Sequence, residues 1–357
     1  MGYFLDEVNG QGQALRAARE GYQEGAGAEA LRSAVRLLAA RPVLFTGMGS
    51  SWAAGIAAEA FLVREGRLGI AVEASEALYR WLPLLSSPEG FAAVLISQSG
   101  ESPEVAGLAR SIAAPFVAMT NNPESALGRL AAVALPLYAG AEKGVTNQTF
   151  LNSVAVAALL SRALLVERNG DRLKDDAPAG WAADVQEAAA AVDALLGRLG
   201  APIDGLRRHF APSEGLESWD LIGRGSGLAA VEQGALLLRE LTGRTVAAFS
   251  GGLYRHGPVY RASAATRAIV LASREEEGQL QARLARDIVD RGGRAAFIAD
   301  FAPGFEAPGL FPVALPRVAP GLFPIAAMIP LELLAIADLA ARGLEPDLGV
   351  PKVTPIE

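Results

Sequence analysis

The sequence predicts an α/β protein made of two similar units, each a parallel five-stranded sheet between layers of helices. The main reason is an internal repeat: one apolar run leads into Gly47-Met48-Gly49, and another leads into Gly223-Arg224-Gly225. In each copy a second apolar run ends in a serine fifty residues after the first glycine, at Ser97 and at Ser273. Apolar runs alternate with helical patterns in both halves. This self-similarity indicates two copies of one unit, with a small-residue loop at a strand end, where open α/β sheets bind ligands.

Composition restricts the function classes. The chain has 357 residues, of which 51% are hydrophobic and 20% charged, as in globular proteins with two domains of ordinary size. The net charge of −7, without a basic block, argues against nucleic acid or an anionic membrane as a partner. The sequence contains no cysteine, which excludes a thiol nucleophile, a disulfide framework and a thiolate metal site.

The N-terminus and the apolar stretches favour a cytoplasmic protein. Residues 1–7 lack the basic-then-apolar layout of a signal peptide. The longest apolar stretch, at about 150–165, is interrupted by polar side chains, and the sequence predicts that it is too short and too polar to span a bilayer.

The first part of the chain is predicted as a helical segment, residues 1–40, followed by the first unit, residues 41–170. Ala, Leu, Arg and Glu dominate the helical segment, which has a break near Gly25. Strands of the first unit are predicted at about 42–46, 69–73, 92–97, 115–119 and 132–136. A long helix closes the unit at the stop signal Asn169-Gly170. Strands that alternate with helices indicate a parallel sheet that is covered on both faces.

A helical connector, residues 171–217, leads to the second unit, residues 218–343. Strands of the second unit are predicted near 219–222, 245–248, 267–272, 294–298 and 312–315. Its last helix, at about 324–342, matches the closing helix of the first unit. The tail, residues 344–357, contains three prolines and is either a frayed end or a segment laid across a site.

Small and hydroxylated residues at two strand ends predict an anion site in the first unit. The loop at Gly47-Met48-Gly49 permits a tight turn and places backbone N–H groups at a helix N-terminus, where the helix dipole favours an anion. A phosphomonoester could lie in such a neutral cradle. The predicted anion-binding side chains are Ser50, Ser51, Ser97, Gln98, Ser99 and Ser102.

The glycine-containing loops have two alternative interpretations besides a phosphate site. A dinucleotide site fits less well, because the third glycine of that motif is due at Trp52 or Leu228. Small loop residues can also be purely structural, since they permit close packing of a helix on a strand.

In the second unit Ser273 is followed by Arg274 and the acidic run 275–277, which would repel a phosphate. The sequence therefore predicts one phosphate site per chain.

Several motifs together resemble the sugar isomerase (SIS) family in its tandem form. The nearest pattern is the isomerase half of glutamine:fructose-6-phosphate amidotransferases and their free-standing relatives. The matching segments, besides the two Gly-x-Gly loops, are Ser97–Ser102, Glu232–Glu240, Arg255-His256-Gly257-Pro258, Ile329–Ala335 and Lys352-Val353-Thr354. The resemblance implies two tandem SIS domains with a flavodoxin-like three-layer sandwich in each, and it covers the chain from about residue 40 to its end.

The resemblance also implies residue roles. Glu240 is similar to the base that moves a proton between C1 and C2, and His256 to the residue that opens the sugar ring from the neighbouring subunit. Lys352, in a tail over the active site, is similar to the amine that engages the open-chain carbonyl. The serines above and Gln98 would hold the phosphate, and the predicted sugar contacts are Gly49, Val145 and Asn147. The expected partners are an anionic hexose and a second copy of the chain, with no cofactor.

The residues themselves allow this chemistry. An aldose–ketose conversion needs a base, and a carboxylate serves if burial raises its pKa. Glu240 ends an apolar helix, but it could also be a surface carboxylate paired with Arg239 or Arg244. His256 follows a glycine-containing loop, and imidazole titrates near neutral pH. His209 is expected to be exposed, and the spacing of histidines and carboxylates indicates no metal site.

The sequence departs from the family pattern in ways that bear on the reaction. Leu237 replaces a family lysine, and residues 146–149 read Thr-Asn-Gln-Thr instead of the usual sugar-contacting run. The sequence has neither a glutaminase unit nor a cysteine to act as its nucleophile. The favoured function is therefore deamination of glucosamine 6-phosphate to fructose 6-phosphate and ammonia. An aldose–ketose isomerase or a fructosamine-phosphate deglycase, on a hexose phosphate or sulfonate, and a non-catalytic sugar-phosphate sensor remain alternatives.

Overall fold

A computed structural model of the chain describes residues 2–168, 180–211, 218–274 and 277–346. It contains two five-stranded sheets in which every pair of neighbouring strands is parallel. The strand orders are β2-β1-β3-β4-β5 and β10-β9-β8-β6-β7. Helices flank both sheets, so the predicted α/β fold class with two similar units is confirmed.

The first sheet comprises β1 Val43–Gly47, β2 Gly69–Glu73, β3 Ala92–Ile96, β4 Val117–Thr120 and β5 Val133–Pro136. The three central strands are buried along their whole length. Alternate residues of β1 face opposite layers, since Val43 and Phe45 belong to one apolar cluster and Leu44 to another. Because both faces need apolar side chains, these strands read as continuous apolar runs in the sequence.

The helices of the first half are α1 Tyr3–Gln23, α2 Gly25–Leu38, α3 Ser50–Arg64, α4 Ala74–Glu76, α5 Leu82–Ser86, α6 Pro103–Ser111, α7 Ala126–Leu130 and α8 Gln148–Arg168. A π-helical turn, Ala77–Trp81, joins α4 to α5. The helical stretch between β2 and β3 was not predicted from the sequence.

The second sheet comprises β6 Ser218–Gly223, β7 Thr245–Ser250, β8 Arg267–Ala272, β9 Arg294–Ala299 and β10 Leu310–Ala314. Its helices are α9 Trp181–Arg198, α10 Gly200–His209, α11 Gly227–Thr242, α12 Gly251–Arg255, α13 Gly278–Asp290 and α14 Phe323–Ala341, with α9 and α10 preceding the sheet. The 3₁₀ turn Pro258–Arg261 follows α12.

One apolar core extends through both halves. Helix α11 of the second half packs on α3 of the first half and on α14, while α1 packs on α8 and α9. Residues of both sheets and of these helices belong to one cluster of buried side chains. The contact between α3 and α11 therefore brings the loops after β1 and β6 next to the opposite half. The exact boundaries predicted for the domains stay predictions.

Within the described part of the chain, two helices are long and apolar enough to cross a membrane: residues 148–167 of α8, at a mean hydropathy of 1.7, and α14, at 1.8. The fold buries 83% and 78% of these stretches, respectively. The sequence analysis expected the first stretch to be too short and too polar, but the helix extends beyond residues 150–165. Its apolar surface is covered by the rest of the protein, as in the core helix of an α/β fold.

Candidate active site

The loops after β1 and β3 meet at the carboxyl edge of the first sheet. Gly47 has no room for a side chain, because a Cβ atom would lie 2.7 Å from the carbonyl oxygen of Ile96 and 2.6 Å from Cβ of Ser51. Gly49 has a φ of +49°, in the region that favours glycine. These two positions explain the Gly-x-Gly pattern: it turns the chain sharply and starts α3 directly beside β3.

A cavity of about 150 Å³ lies at this edge, and we call it the hydroxyl cavity. Five of the six predicted anion-binding residues line it: Ser50, Ser51, Gln98, Ser99 and Ser102. Its other lining residues are Met48, Thr146, Thr149, Phe150 and Ser153. The sequence analysis missed Thr149 and Ser153, which lie four residues apart on one face of α8; their polar side chains in an apolar helix were the available signal.

Ser97, the sixth predicted residue, does not line the cavity. It is 2% exposed, and its Oγ accepts a hydrogen bond from the backbone N–H of Gly100 at 3.1 Å. A second hydrogen bond of 3.1 Å joins the hydroxyls of Ser97 and Ser102. Gly100 has a φ of +70°, and a Cβ there would lie 1.8 Å from Oγ of Ser125. Ser97 thus holds the turn that presents Ser99 and Ser102 to the cavity.

The electrostatics of the hydroxyl cavity suit an anion. The residues that line it are neutral throughout the part of the chain that the structure describes. Three helices begin at its rim: α3 at Ser50, α6 at Pro103 and α8 at Gln148. The N-terminus of a helix carries a partial positive charge and unpaired backbone N–H groups.

Glu142 fixes the start of α8. Its Oε1 accepts hydrogen bonds from the backbone N–H groups of Asn147 and Thr149, each at 3.0 Å. Its Oε2 accepts one from the hydroxyl of Thr149. Burial raises the pKa of Glu142, and these hydrogen bonds oppose the rise. The carboxyl group therefore orients Thr149, a lining residue, from behind the cavity.

The predicted sugar contacts occupy different places around the cavity. Asn147 is buried, and its Nδ2 donates to Oε2 of Glu7 at 3.0 Å and to the carbonyl of Val145 at 3.1 Å. Val145 is half-buried in the same loop, and Gly49 is exposed at the rim. Asn147 thus faces the N-terminal helix α1, whereas its neighbour Thr146 lines the cavity.

Helix α11 approaches the rim of the cavity at Leu236, one turn before Glu240. A Cβ on Gly49 would lie 3.2 Å from Cδ2 of Leu236, and Glu240 follows Leu236 by one helical turn on the same face. Glu240 is exposed to solvent on one side, yet desolvation by its protein surroundings raises its pKa, while the charge of Arg239 lowers it. Leu237, at the position of the family lysine, is completely buried in the core.

The alternative ion partners of Glu240 have other contacts. Nη1 of Arg239 donates to the carbonyl of Val246 at 3.3 Å. Arg244 forms an ion pair with Asp338, at 2.6 Å between Nη2 and Oδ1, and its guanidinium lies over the ring of Trp219. Glu240 itself is exposed, and the charge of Arg239 still acts on it, so both interpretations of Glu240 stay open.

His256 and Glu240 are not among the lining residues of the hydroxyl cavity. His256 is exposed and follows the last turn of α12. Leu253 and Tyr260, on either side of it in the chain, are 67% and 71% exposed. Lys352 lies outside the described residues. His209, expected to be exposed, is half-buried: its Nε2 is 3.1 Å from the carbonyl oxygen of Gly309, and burial lowers its pKa.

Among the described residues, no three His, Asp or Glu side chains lie close enough together to hold a metal ion.

Comparisons with known proteins find relatives over most of the chain, although no family model matches the sequence. The glutamine–fructose-6-phosphate aminotransferase of Halobacterium salinarum is 30% identical over 300 residues, covering 81% of this chain and 48% of the relative. That of Bradyrhizobium diazoefficiens is 28% identical over 312 residues, covering 85% of this chain and 50% of the relative. The chain thus spans about half the length of these curated relatives.

Solved structures share the complete fold. The C-terminal domain of the aminotransferase from Francisella tularensis has a TM-score of 0.85 at 22% identity and covers 97% of this chain and 98% of its own. The chain has the fold of two tandem sugar isomerase (SIS) domains. Other solved structures with the same fold are the tagatose-6-phosphate ketose/aldose isomerase of Escherichia coli (TM-score 0.78, 19% identity, covering 99% of this chain and 96% of its own) and the glucosamine-6-phosphate deaminase of Thermotoga maritima (TM-score 0.69, 18% identity, covering 97% and 96%).

Both halves of this double-SIS protein fall within these alignments. The roles of the individual site residues stay predictions.

Proposed function

We propose that this double-SIS protein converts a hexose 6-phosphate by moving a proton between C2 and C1, with the phosphate in the hydroxyl cavity. The supporting observation is the neutral cavity at three helix N-termini beside the helix that carries Glu240. Hydroxyls and backbone N–H groups are suitable donors to a phosphate dianion. The rest of the sugar would extend from the cavity towards the end of α11.

Glu240 would be the base. In the open-chain aldose, its carboxylate removes the proton from C2, and the electron pair shifts to form an enediol or an enolamine. The same carboxyl group returns the proton to C1. The raised pKa of Glu240 makes its carboxylate a stronger base than an ordinary glutamate. Activity should therefore fall as the pH decreases through a pKa above the ordinary glutamate value.

We favour deamination of glucosamine 6-phosphate as the reaction. Proton transfer from C2 to C1 converts the amino aldose into a 2-imine, and water hydrolyses this imine to fructose 6-phosphate and ammonia. This reaction needs no ammonia donor. The relatives named above support a substrate of this kind, because their names include aminotransferases of fructose 6-phosphate and a glucosamine-6-phosphate deaminase.

A plain aldose–ketose isomerase is the second candidate. The same proton transfer converts a neutral aldose phosphate into a ketose phosphate without loss of ammonia. The likeness to the tagatose-6-phosphate ketose/aldose isomerase, with a TM-score of 0.78, favours it as an alternative.

We infer that His256 acts from a neighbouring subunit of a homodimer. It is exposed in the single chain and is flanked by the exposed apolar side chains of Leu253 and Tyr260. Exposed apolar patches mark interaction surfaces. A second copy that covers this patch would receive His256 near its own cavity, where the imidazole could open the sugar ring. Lys352 as the amine for the open-chain carbonyl, and a cytoplasmic location, also remain predictions.

The test is a substrate screen of the purified protein against amino and neutral hexose 6-phosphates, with ketose and ammonia measured separately. We expect both products from glucosamine 6-phosphate in equal amounts. If the protein forms ketose from a neutral aldose phosphate but does not convert the amino sugar, the aldose–ketose isomerase is the correct candidate. If the protein binds sugar phosphates but forms no product from any of them, the proposed catalytic function is wrong and a sensor is favoured.

The second test addresses the base. Glu240→Gln keeps the shape and much of the hydrogen bonding of the side chain but removes its basicity. At saturating substrate, exchange of the C2 hydrogen with deuterated solvent, followed by NMR, should slow by about 10²-fold or more. Exchange at the wild-type rate would mean that another residue is the base.

A further inference from the structure

A cleft of about 480 Å³ lies at the carboxyl edge of the second sheet, where the N-terminus of α11 meets the C-terminal half of α3. We call it the second cleft. Its lining includes Glu59, Phe61 and Arg64 from α3, and Ser226, Glu277 and Gly321 from the second half.

The second cleft is the structural counterpart of the hydroxyl cavity. Ser226 and Ser50 each follow a glycine with positive φ, Gly225 at +53° and Gly49 at +49°. Glu277 and Ser102 each precede the helix that follows the third strand of their unit in chain order. Gly321 and Thr146 each lie two residues before the closing helix. These three positions line the second cleft and the hydroxyl cavity, respectively.

The chemistry of the two sites differs. A carboxyl group, that of Glu277, replaces the hydroxyl of Ser102, and Glu59 adds a second carboxyl group from α3. Glu59 is half-buried and accepts the backbone N–H of Ala71 at 2.8 Å. Arg64 contributes one positive charge and the two carboxyl groups contribute two negative charges, so the lining formed by the described residues has a net negative charge. A phosphate would be repelled, whereas an ammonium group would be attracted.

Ser226 supplies an independent sign of a missing ligand. Ser226 is 5% exposed, and its Oγ has no hydrogen-bond partner among the described residues. A buried hydroxyl without a partner costs free energy, and a ligand hydroxyl in the cleft could provide one. Phe61 and Leu228 add apolar surface, on which the C–H face of a sugar ring can pack.

We propose that the second cleft binds an amino sugar with a free ammonium group and no phosphate, without converting it. Glu59 and Glu277 hold the ammonium group, and Ser226 holds a ring hydroxyl. Arg64 in α3 follows Gly49 at the same spacing at which Glu240 in α11 follows Gly225. The position in the repeat that carries the proposed base, Glu240, is therefore an arginine at the second cleft. This inference does not depend on the reaction proposed for the hydroxyl cavity.

The test is calorimetric titration of the full chain with glucosamine, compared with glucose and N-acetylglucosamine, which lack the ammonium group. We expect glucosamine to bind at least tenfold more tightly than either neutral sugar, since a charged hydrogen bond to a carboxylate is lost in both. Equal affinities for the three sugars, or no binding of glucosamine at millimolar concentration, would overturn the proposal.

Matched variants locate the site. Glu277→Gln and Ser226→Ala should each weaken glucosamine binding by about tenfold. The control Glu65→Gln changes an exposed carboxylate at the end of α3 and should leave binding unchanged. If Ser99→Ala weakens glucosamine binding and Glu277→Gln does not, the sugar occupies the hydroxyl cavity and the proposal is wrong. That result would leave the proposed sugar-phosphate reaction intact.

Discussion

At the scale of single residues, two serines of one motif have different tasks. Ser99 lines the hydroxyl cavity, whereas Ser97 is buried beneath it and accepts the backbone N–H of Gly100. The sequence analysis predicted both as phosphate ligands, because a run of serines after a strand does not reveal which hydroxyls face outward. Exposure decides this, because the hydroxyl of Ser99 also accepts a backbone N–H, that of Glu101 at 3.2 Å, but Ser99 is half-buried at the cavity and Ser97 is buried.

A pair of variants separates the two tasks. Ser99→Ala should raise the KM for a phosphorylated sugar by about tenfold, because one hydrogen bond to an anion is lost, with little change in stability. Ser97→Ala should lower the free energy of unfolding by about 1–3 kcal/mol, because the buried N–H of Gly100 loses its acceptor. Kinetics and urea unfolding on both variants check this. A destabilised Ser99→Ala with unchanged KM would contradict our assignment.

At the scale of helices and strands, the sequence predicted the repeating pattern well. Each predicted strand is present within about two residues, because strands buried on both faces need continuous apolar runs. The helices between β2 and β3 were missed, since their mixed side chains lack a clear period. The cavity was predicted from two loops only. Its third side, the start of α8, was missed because the apolar pattern of that helix concealed Thr149 and Ser153.

Glu142 links the loop before α8 to the cavity, and its removal should affect both stability and binding. Glu142→Ala deletes the acceptor of two backbone N–H groups and of the Thr149 hydroxyl. We expect a loss of about 1–2 kcal/mol in unfolding free energy, as for other lost helix caps, and a higher KM for the sugar phosphate. The exposed Glu124→Ala is the control. A lower stability with an unchanged KM would show that the loop does not position the ligand.

At the scale of the whole molecule, a buried carboxyl group joins the N-terminal helix to the last helix. Nε2 of Gln11 in α1 donates to both carboxyl oxygens of Glu332 in α14, at 2.8 and 2.9 Å, and both residues are completely buried. Burial raises the pKa of Glu332 from 4.5 to about 8, and the charge of Glu142 adds to the rise. The folded state therefore holds this proton more tightly than the unfolded state does.

This linkage predicts a pH-dependent stability. Because the unfolded state releases the proton first, the contribution of Glu332 to stability should decrease as the pH rises from about 4.5 to about 8. Glu332→Gln stays neutral, and its amide can donate to Oε1 of Gln11, which has no partner among the described residues. We expect the variant to be more stable than the wild type by about 1–3 kcal/mol at pH 9, with a smaller difference at pH 5. Urea unfolding at both pH values, with the exposed Glu306→Gln as control, measures it. A difference that does not grow with pH would refute the raised pKa.

The proposed homodimer predicts complementation between two inactive variants. In Glu240→Gln the base is missing, and in His256→Asn the ring-opening imidazole is missing, so each homodimer should have little activity on the ring-closed sugar. If the sites are shared, a mixed dimer contains one site with an intact Glu240 and an intact His256 of the partner subunit. Its other site lacks both groups.

Random reassembly of equal amounts makes half of the dimers mixed, and each has one intact site out of two. The mixture should therefore recover about a quarter of the wild-type rate. The measurement is the rate of ketose formation after unfolding and refolding the variants together, compared with the same variants refolded apart and then combined. If both residues serve one site within the same chain, every site lacks one of them, and refolding together should restore nothing.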